Sequence, residues 1–155
     1  MTISIERILF VTDFSEPARN AQKYAVELAD RFGAELHAFH AVTDDVLVPA
    51  VEVAADWLRE EVARTTRQLA ADMAAVHGAK PPILEVRQGN PVQEIIRYAA
   101  GHNIDLIVIG THGHTGLSRL LLGSIAEKIV RLATCPVLTV HPTGHQFVGD
   151  QPASP

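Results

Sequence analysis

Short apolar runs alternate with segments of helical periodicity along the chain, and this alternation limits the possible folds more than any other feature. The run Leu-Ile-Val-Ile at residues 106–109 contains no polar residue, which is typical of a strand buried on both faces of a parallel sheet. Between the runs, apolar residues recur every three or four positions, as on one face of a helix. Five runs are predicted to be strands: residues 8–11, 36–42, 83–86, 106–109 and 137–140.

Four helices are predicted between these strands, over residues 15–32, 51–77, 91–101 and 124–134. Gly33 follows the first helix as a stop signal, and Asn90 with Pro91 marks the start of the third. Strands joined by helices form right-handed crossovers and a parallel sheet. The sequence therefore predicts one α/β domain over residues 1–141, an open, twisted, five-stranded parallel sheet with helices on both faces, followed by a flexible tail at 142–155.

Charge and composition exclude several classes of partner. The formal net charge is −5 and Lys and Arg do not cluster, so a nucleic-acid partner is not expected. No run approaches the ~18–20 apolar residues of a membrane helix, and no signal peptide is recognisable at the N-terminus. The only cysteine, Cys135, cannot form an intrachain disulfide and is expected to be a buried thiol. These features predict a cytoplasmic protein without a membrane or nucleic-acid partner.

The loop at residues 110–124 carries the strongest functional signal. It is far longer than the about two to six residues usual between a strand and a helix. Its glycines allow the backbone to come close to a ligand, and Ser124 lies where free amides and the helix dipole favour an anion. The loop is predicted to hold phosphate, and the alternative is a plain glycine-rich connection.

Two other phosphate-binding motifs do not match. A P-loop requires a lysine between the last glycine and the hydroxyl residue, but Ser124 follows Gly123 directly. The dinucleotide fingerprint requires glycines after the first strand, where residues 11–15 read Val-Thr-Asp-Phe-Ser. A dinucleotide-dependent reductase is therefore not expected.

The glycine spacing in this loop resembles that of a known family. Gly110-x₂-Gly113-x₉-Gly123-Ser124 is similar to the nucleotide motif of the ATP-binding universal stress proteins. The segments Thr-Asp-Phe-Ser at 12–15, Gly-Asn-Pro at 89–91 and Cys-Pro-Val-Leu-Thr-Val at 135–140 also resemble that family. The resemblance covers residues 3–141 and implies a Rossmann-like fold of the adenine nucleotide alpha hydrolase type.

The resemblance also implies ATP as ligand, with Mg²⁺ carried by its phosphates, and a role for each matching position. Asp13 would bind the ribose hydroxyls, Ala41 would offer backbone groups to the adenine, and the loop would hold the phosphates. Val11 replaces a proline frequent in ATP-binding members. Apart from the resemblance, the positive charge of Arg119 within the loop is expected either to reach a phosphate or to lie solvated over the site. The predicted nucleotide site consists of Val11, Thr12, Asp13, Ser15, Ala41, Ile109, Gly110, His112, Gly113, Arg119, Gly123, Ser124 and Ile125.

The fifth strand is expected to leave an open sheet edge, which invites pairing with another chain. The family resemblance implies a homodimer in which this strand pairs antiparallel with its two-fold mate. The interface residues would be Val137, Leu138, Thr139 and Val140.

The predicted activity is that of a nucleotide-dependent stress-response regulator with slow or no hydrolysis, acting on an unidentified protein partner. No catalytic residue is assigned. Three alternatives stay open: an ATPase or phosphotransferase with Asp13 or His112 as base, a dimeric interaction module that binds no nucleotide, and a preference for AMP or cyclic AMP.

Other candidate residues favour structural roles. Asp13 could cap the first helix, alone or in addition to binding a ribose. His37 and His40 are predicted to point to opposite faces of their strand, so they cannot share a metal ion. Trp57, on the second helix, is expected in the core or in an interface.

Overall fold

The computed structural model describes residues 1–43, 51–76, 78–111, 122–142 and 145–148. Strands and helices alternate throughout, as the apolar pattern predicted. In chain order the elements are β1 (Arg7–Val11), α1 (Glu16–Phe32), β2 (Glu35–Val42), α2 (Val51–Ala74), β3 (Ile83–Gln88), α3 (Pro91–Gly101), β4 (Leu106–Gly110), α4 (Ser124–Leu132) and β5 (Val137–Val140).

The five strands form one parallel sheet in the order β3-β2-β1-β4-β5. The predicted α/β architecture is therefore confirmed. The chain runs outward from β1 through β2 to β3, then returns to the other side of β1 to form β4. Because the strand order reverses at β1, the carboxyl ends of β1 and β4 form the crevice where such sheets bind ligands.

Helices cover both faces of the sheet and create two cores. Ile8 and Phe10 of β1 face α1 and α2, whereas Leu9 and Val11 face α3 and α4. All four side chains are buried, which explains why this strand reads as a continuous apolar run rather than an alternating one.

Several predicted boundaries shift for local reasons. Gly33 ends α1 in the left-handed conformation, with φ of 67°, as predicted. Helix α2 ends at Ala74 rather than at 77, because the amides of Ala75 and Val76 bond three residues back and tighten the last turn. Helix α4 ends at Leu132 rather than at 134, because the chain must already be extended at Ala133 to enter β5.

Part of the predicted tail contacts the domain. The ring of Phe147 lies edge-to-face on Tyr24, with 4.8 Å between centroids, and Val148 packs against the core that α1 and α2 cover. Within the segments that the structure describes, no helix combines the length and apolar character needed to cross a membrane.

Candidate functional site

A cavity of about 630 Å³ opens at the carboxyl ends of β1, β2 and β4, the crevice that the topology favours. Its main boundary, here called the strand-end wall, comprises residues 11–15, 41, 109, 110 and 123–125. Every described member of the predicted nucleotide site lies in this wall. His112, Gly113 and Arg119 lie outside the described residues. The predicted residues that line the cavity are Val11, Thr12, Asp13, Ser15, Ala41, Ile109, Gly110, Gly123, Ser124 and Ile125.

The turn after β1 is held by hydrogen bonds that use both backbone and side chains. The amide of Thr12 donates to the carbonyl of Phe39 at 3.0 Å. The Phe14 amide donates to Thr12 Oγ1 at 3.0 Å, and the Ser15 amide donates to Asp13 Oδ1 at 2.9 Å. Ser15, rather than Asp13, is the cap of α1, since its Oγ accepts from the Ala18 amide at 3.3 Å. Asp13 therefore supports the turn, and its carboxylate borders the cavity.

Phe14 adopts the left-handed conformation, with φ of 63°, which is unusual for a residue with a side chain. Such residues cluster at functional sites, where the surrounding structure holds them in place. Here the ring of Phe14 lies against the ring of His40 on β2, with 4.6 Å between centroids.

His40 is a site residue that the sequence did not identify. Its Nδ1 lies 2.8 Å from the carbonyl oxygen of Thr12, and the side chain is half-buried at the cavity. Burial lowers its pKa, although the bond to Thr12 and the nearby carboxylates of Asp13 and Glu61 act in the opposite direction. His37 lies on the other face of β2 and bonds Tyr98 and Glu35, so the prediction that the two histidines face apart is confirmed.

Gly110 is required by packing. A Cβ at this position would lie 2.6 Å from the carbonyl oxygen of Pro17, in the first turn of α1. The close approach of β4 to α1 therefore requires a glycine here, whether or not a ligand is also near.

Helix α4 begins differently from the other helices whose starts border this crevice. Ser15 caps α1 and Asn90 caps α3, each with a side-chain oxygen, but Gly123 offers no side chain to cap α4. The first amides of a helix have no partner within it, and here they belong to residues that line the cavity, Ser124 and Ile125 among them. An anion is the natural partner for such amides.

A second boundary of the cavity was not predicted. Trp57, Glu61, Arg64, Thr65 and Gln68 line it at helical spacing and are here called the α2 wall. Trp57 was expected in the core or in an interface. It does not lie in the core, because the residue is 38% exposed and borders the cavity. Arg64 Nε donates to Glu61 at 2.9 Å, and this bond lowers the pKa of the carboxyl. The periodicity of residues 57–68 was the available signal, but it does not show which surface a helix faces.

Neither a reactive thiol nor a metal centre is supported by the described residues. Cys135 is half-buried and burial raises the pKa of its thiol, which disfavours the reactive thiolate. Among the residues that the structure describes, no three His, Cys, Asp or Glu side chains are grouped closely enough to hold a metal ion.

Comparison with known proteins agrees with this fold. Residues 4–141 match the model of the universal stress protein family. The chain belongs to that family. A universal stress protein of Methanocaldococcus jannaschii is 38% identical over 140 residues, which cover 87% of this chain and 81% of the relative. Among solved structures, the universal stress protein UspA of Lactobacillus plantarum superposes with a TM-score of 0.75 at 32% identity, covering 90% of this chain and 99% of that one.

A second similar structure is a universal stress protein in complex with cAMP, with a TM-score of 0.69, 22% identity and coverage of 91% of this chain and 100% of that one. At this identity the likeness supports the shared fold.

Proposed function

We propose that the cavity binds an adenine nucleotide, ATP in particular, and that the protein is a nucleotide-dependent regulator of the stress response in the cytoplasm. The observation that carries this proposal is the uncapped start of α4 at the cavity, where amides are available to an anion. Family membership and the cAMP complex of a related fold support adenine as the base.

The lining suggests how each part of the nucleotide is held. Val11, Ala41 and Ile109 present apolar side chains on the face that α3 and α4 cover, which suits the adenine ring. Asp13 would accept hydrogen bonds from the ribose hydroxyls. The amides at residues 123–125, together with His112, Gly113 and Arg119, would hold the phosphates. Mg²⁺ would be bound by the phosphates and would keep most of its water, as is usual for this ion.

The groups near the site favour binding over rapid hydrolysis. The lysine of a P-loop stabilises the charge that develops on the transferred phosphoryl group. Here Ser124 follows Gly123 directly, with no lysine between them. We therefore expect ATP occupancy, rather than turnover, to set the shape or partners of the protein.

Calorimetric titration of nucleotide-stripped protein with Mg-ATP tests the proposal, alongside AMP, cyclic AMP and GTP. We expect micromolar affinity for ATP that falls at least about tenfold in Gly123→Val, because a side chain there obstructs the phosphates. Gly101→Val is the matched control, because a Cβ at Gly101 has no atom within 4 Å and the site lies elsewhere. Absence of binding to any adenine nucleotide would favour the interaction module, and phosphate release above about 1 s⁻¹ would favour an enzyme.

We also propose a homodimer through β5, which forms one edge of the sheet. Its sequence Val-Leu-Thr-Val carries no charge, and Val137, Leu138 and Thr139 are only half-buried. The nearby helix α4 exposes Val130 and Leu132, which are 46% and 57% accessible. An uncharged edge beside exposed apolar side chains suits strand pairing.

The register of β5 indicates which backbone groups would pair. The carbonyls of Pro136 and Val140 accept from the amides of Ile107 in β4 and of Thr111 just after it. The intervening amides of Val137 and Thr139 therefore point away from the sheet. Thr139→Pro removes one outward amide and should yield a monomer in sedimentation, whereas Thr139→Val should stay dimeric. A monomeric wild type at micromolar concentration would refute this proposal.

A further inference from the structure

The carbonyl of Thr12 is held by a side chain from a different strand. The Thr12 amide bonds Phe39 and its hydroxyl accepts from Phe14, while its carbonyl bonds the imidazole of His40. All three polar groups of this residue are therefore engaged. Because Asp13 is the next residue, the orientation of the Thr12 carbonyl fixes the peptide plane from which the Asp13 side chain leaves.

We propose that His40 is a positioning residue, which fixes the Thr12–Asp13 peptide so that the Asp13 carboxylate is oriented for the ribose hydroxyls of the nucleotide. This inference rests on the proposed nucleotide function. On this proposal, the share of the nucleotide affinity that comes from the ribose hydroxyls depends on His40.

The hydrogen-bond pattern defines the state of the ring. A carbonyl oxygen can only accept, so Nδ1 of His40 carries the hydrogen. Because burial lowers the pKa of His40, the ring is neutral near pH 7.5. An uncharged substitution therefore leaves the net charge of the cavity unchanged, and altered affinity cannot be ascribed to a lost charge near the phosphates.

Phe14 shows why the turn needs this support. Its left-handed backbone, with φ of 63°, is disfavoured unless the surroundings hold it. His40 contacts the turn twice, through the bond to Thr12 and through the ring of Phe14 at 4.6 Å between centroids. Loss of the hydrogen bond would free the peptide before Asp13, whereas loss of the ring would weaken only the contact with Phe14.

Two substitutions separate these contacts. His40→Asn keeps a donor at the position of Nδ1 but removes the ring, and His40→Phe keeps a ring but removes the donor. If His40→Phe does not fold, His40→Leu replaces it, since leucine matches asparagine in shape and has no donor. Affinities for ATP and for 2′,3′-dideoxy-ATP are measured by calorimetry, and amide exchange of Phe14 and Ser15 is measured without nucleotide.

In the wild type we expect ATP to bind about tenfold more tightly than the dideoxy analogue, because hydrogen bonds to a carboxylate are lost in the analogue. This ratio should fall to within about twofold in His40→Phe and be retained in His40→Asn. The hydrogen-bonded amides of Phe14 and Ser15 should exchange faster in His40→Phe alone.

An unchanged ratio in His40→Phe, with or without equal weakening of both nucleotides, would mean that the residue at most supports the fold, and would overturn the proposal. If the wild type binds no nucleotide, the proposed function fails, and amide exchange still decides whether His40 holds the turn. If the Phe14 and Ser15 amides exchange at the same rate in His40→Phe and in the wild type, the conclusion that His40 holds the turn is overturned as well.

Discussion

The two walls of the cavity are constructed in different ways. The strand-end wall rests on buried backbone: Thr12 has hydrogen bonds on its amide, carbonyl and hydroxyl, and Gly110 packs directly against Pro17. The α2 wall consists of side chains along one helix. Its Glu61–Arg64 pair is three residues apart, and the two side chains are 23% and 57% exposed.

This difference separates two properties of a binding site. Groups fixed by buried backbone are already oriented for a ligand, so less ordering is required when the ligand binds. Exposed ion pairs between long side chains contribute little to stability and can rearrange. We therefore expect substitutions in the strand-end wall to affect folding and affinity strongly, and those in the α2 wall to affect both weakly.

Gly110→Ala should give the largest effect. The added Cβ would lie 2.6 Å from the Pro17 carbonyl oxygen, and backbone must shift to relieve the clash. Overpacking of this kind costs about 3 kcal/mol in the free energy of unfolding, which lowers the Tm by roughly 6–12 °C. Urea and thermal unfolding measure this loss. Gly101→Ala is the control and should be at least as stable as the wild type, since a Cβ there meets nothing within 4 Å. Equal stability of the two variants would show that the strand-end wall adapts as readily as the α2 wall.

Sequence reasoning reached the fold because the decisive signals are local. The apolar run of β1 shows burial on both faces, and Gly33 ends α1 in a left-handed conformation that its missing side chain permits. The strand-end wall followed from these, since parallel strands bring their carboxyl ends to one edge of the sheet.

The remaining parts of the site depend on contacts that are distant in sequence. His40 bonds Thr12 across 28 residues, so nothing next to either residue reveals the pair. The helical period of α2 predicted a helix, but which of its residues extend along the cavity depends on how the helix packs on the sheet. A glycine needed for packing, such as Gly110, reads the same in sequence as one needed by a ligand.

Asp13→Asn should have the next largest effect, on ATP affinity. Loss of the carboxylate weakens the bonds proposed for the ribose hydroxyls, and we expect affinity to fall about tenfold by calorimetry. Glu61→Gln is the matched control, because it removes the same charge from the α2 wall, and its affinity should stay within about twofold. If both variants bind ATP more tightly, repulsion of the phosphates outweighs the ribose contact, and the contrast between the walls does not extend to affinity.

His40 lies between the two walls, near the carboxylates of Asp13 and Glu61 and the guanidinium of Arg64. Its titration should give a smaller effect, which appears in the pH dependence of the free energy of unfolding. Burial lowers its pKa in the folded state from the ordinary value of 6.5. Below pH 6.5 the unfolded chain binds more protons at His40 than the folded chain does. The contribution of the neutral ring to stability is therefore fully present above that pH, and it is lost as the pH falls through the lowered pKa. Urea unfolding at pH 7.5 and 5.5 should therefore show a greater loss in the wild type than in His40→Asn. Equal losses would mean that the ring is solvated as freely as the side chains of the α2 wall.

Arg64→Ala should have the smallest effect, within about 0.5 kcal/mol in the free energy of unfolding, because its partner Glu61 stays accessible to water when the ion pair is removed. Ser15→Ala provides the comparison from the strand-end wall, since it removes the cap of α1 and should cost about 1 kcal/mol. Both are measured by urea unfolding at pH 7.5, where His40 contributes no change of charge. A loss in Arg64→Ala as large as that in Ser15→Ala would mean that the α2 wall is held by its ion pair, and the cavity would then be rigid on both sides before any ligand binds.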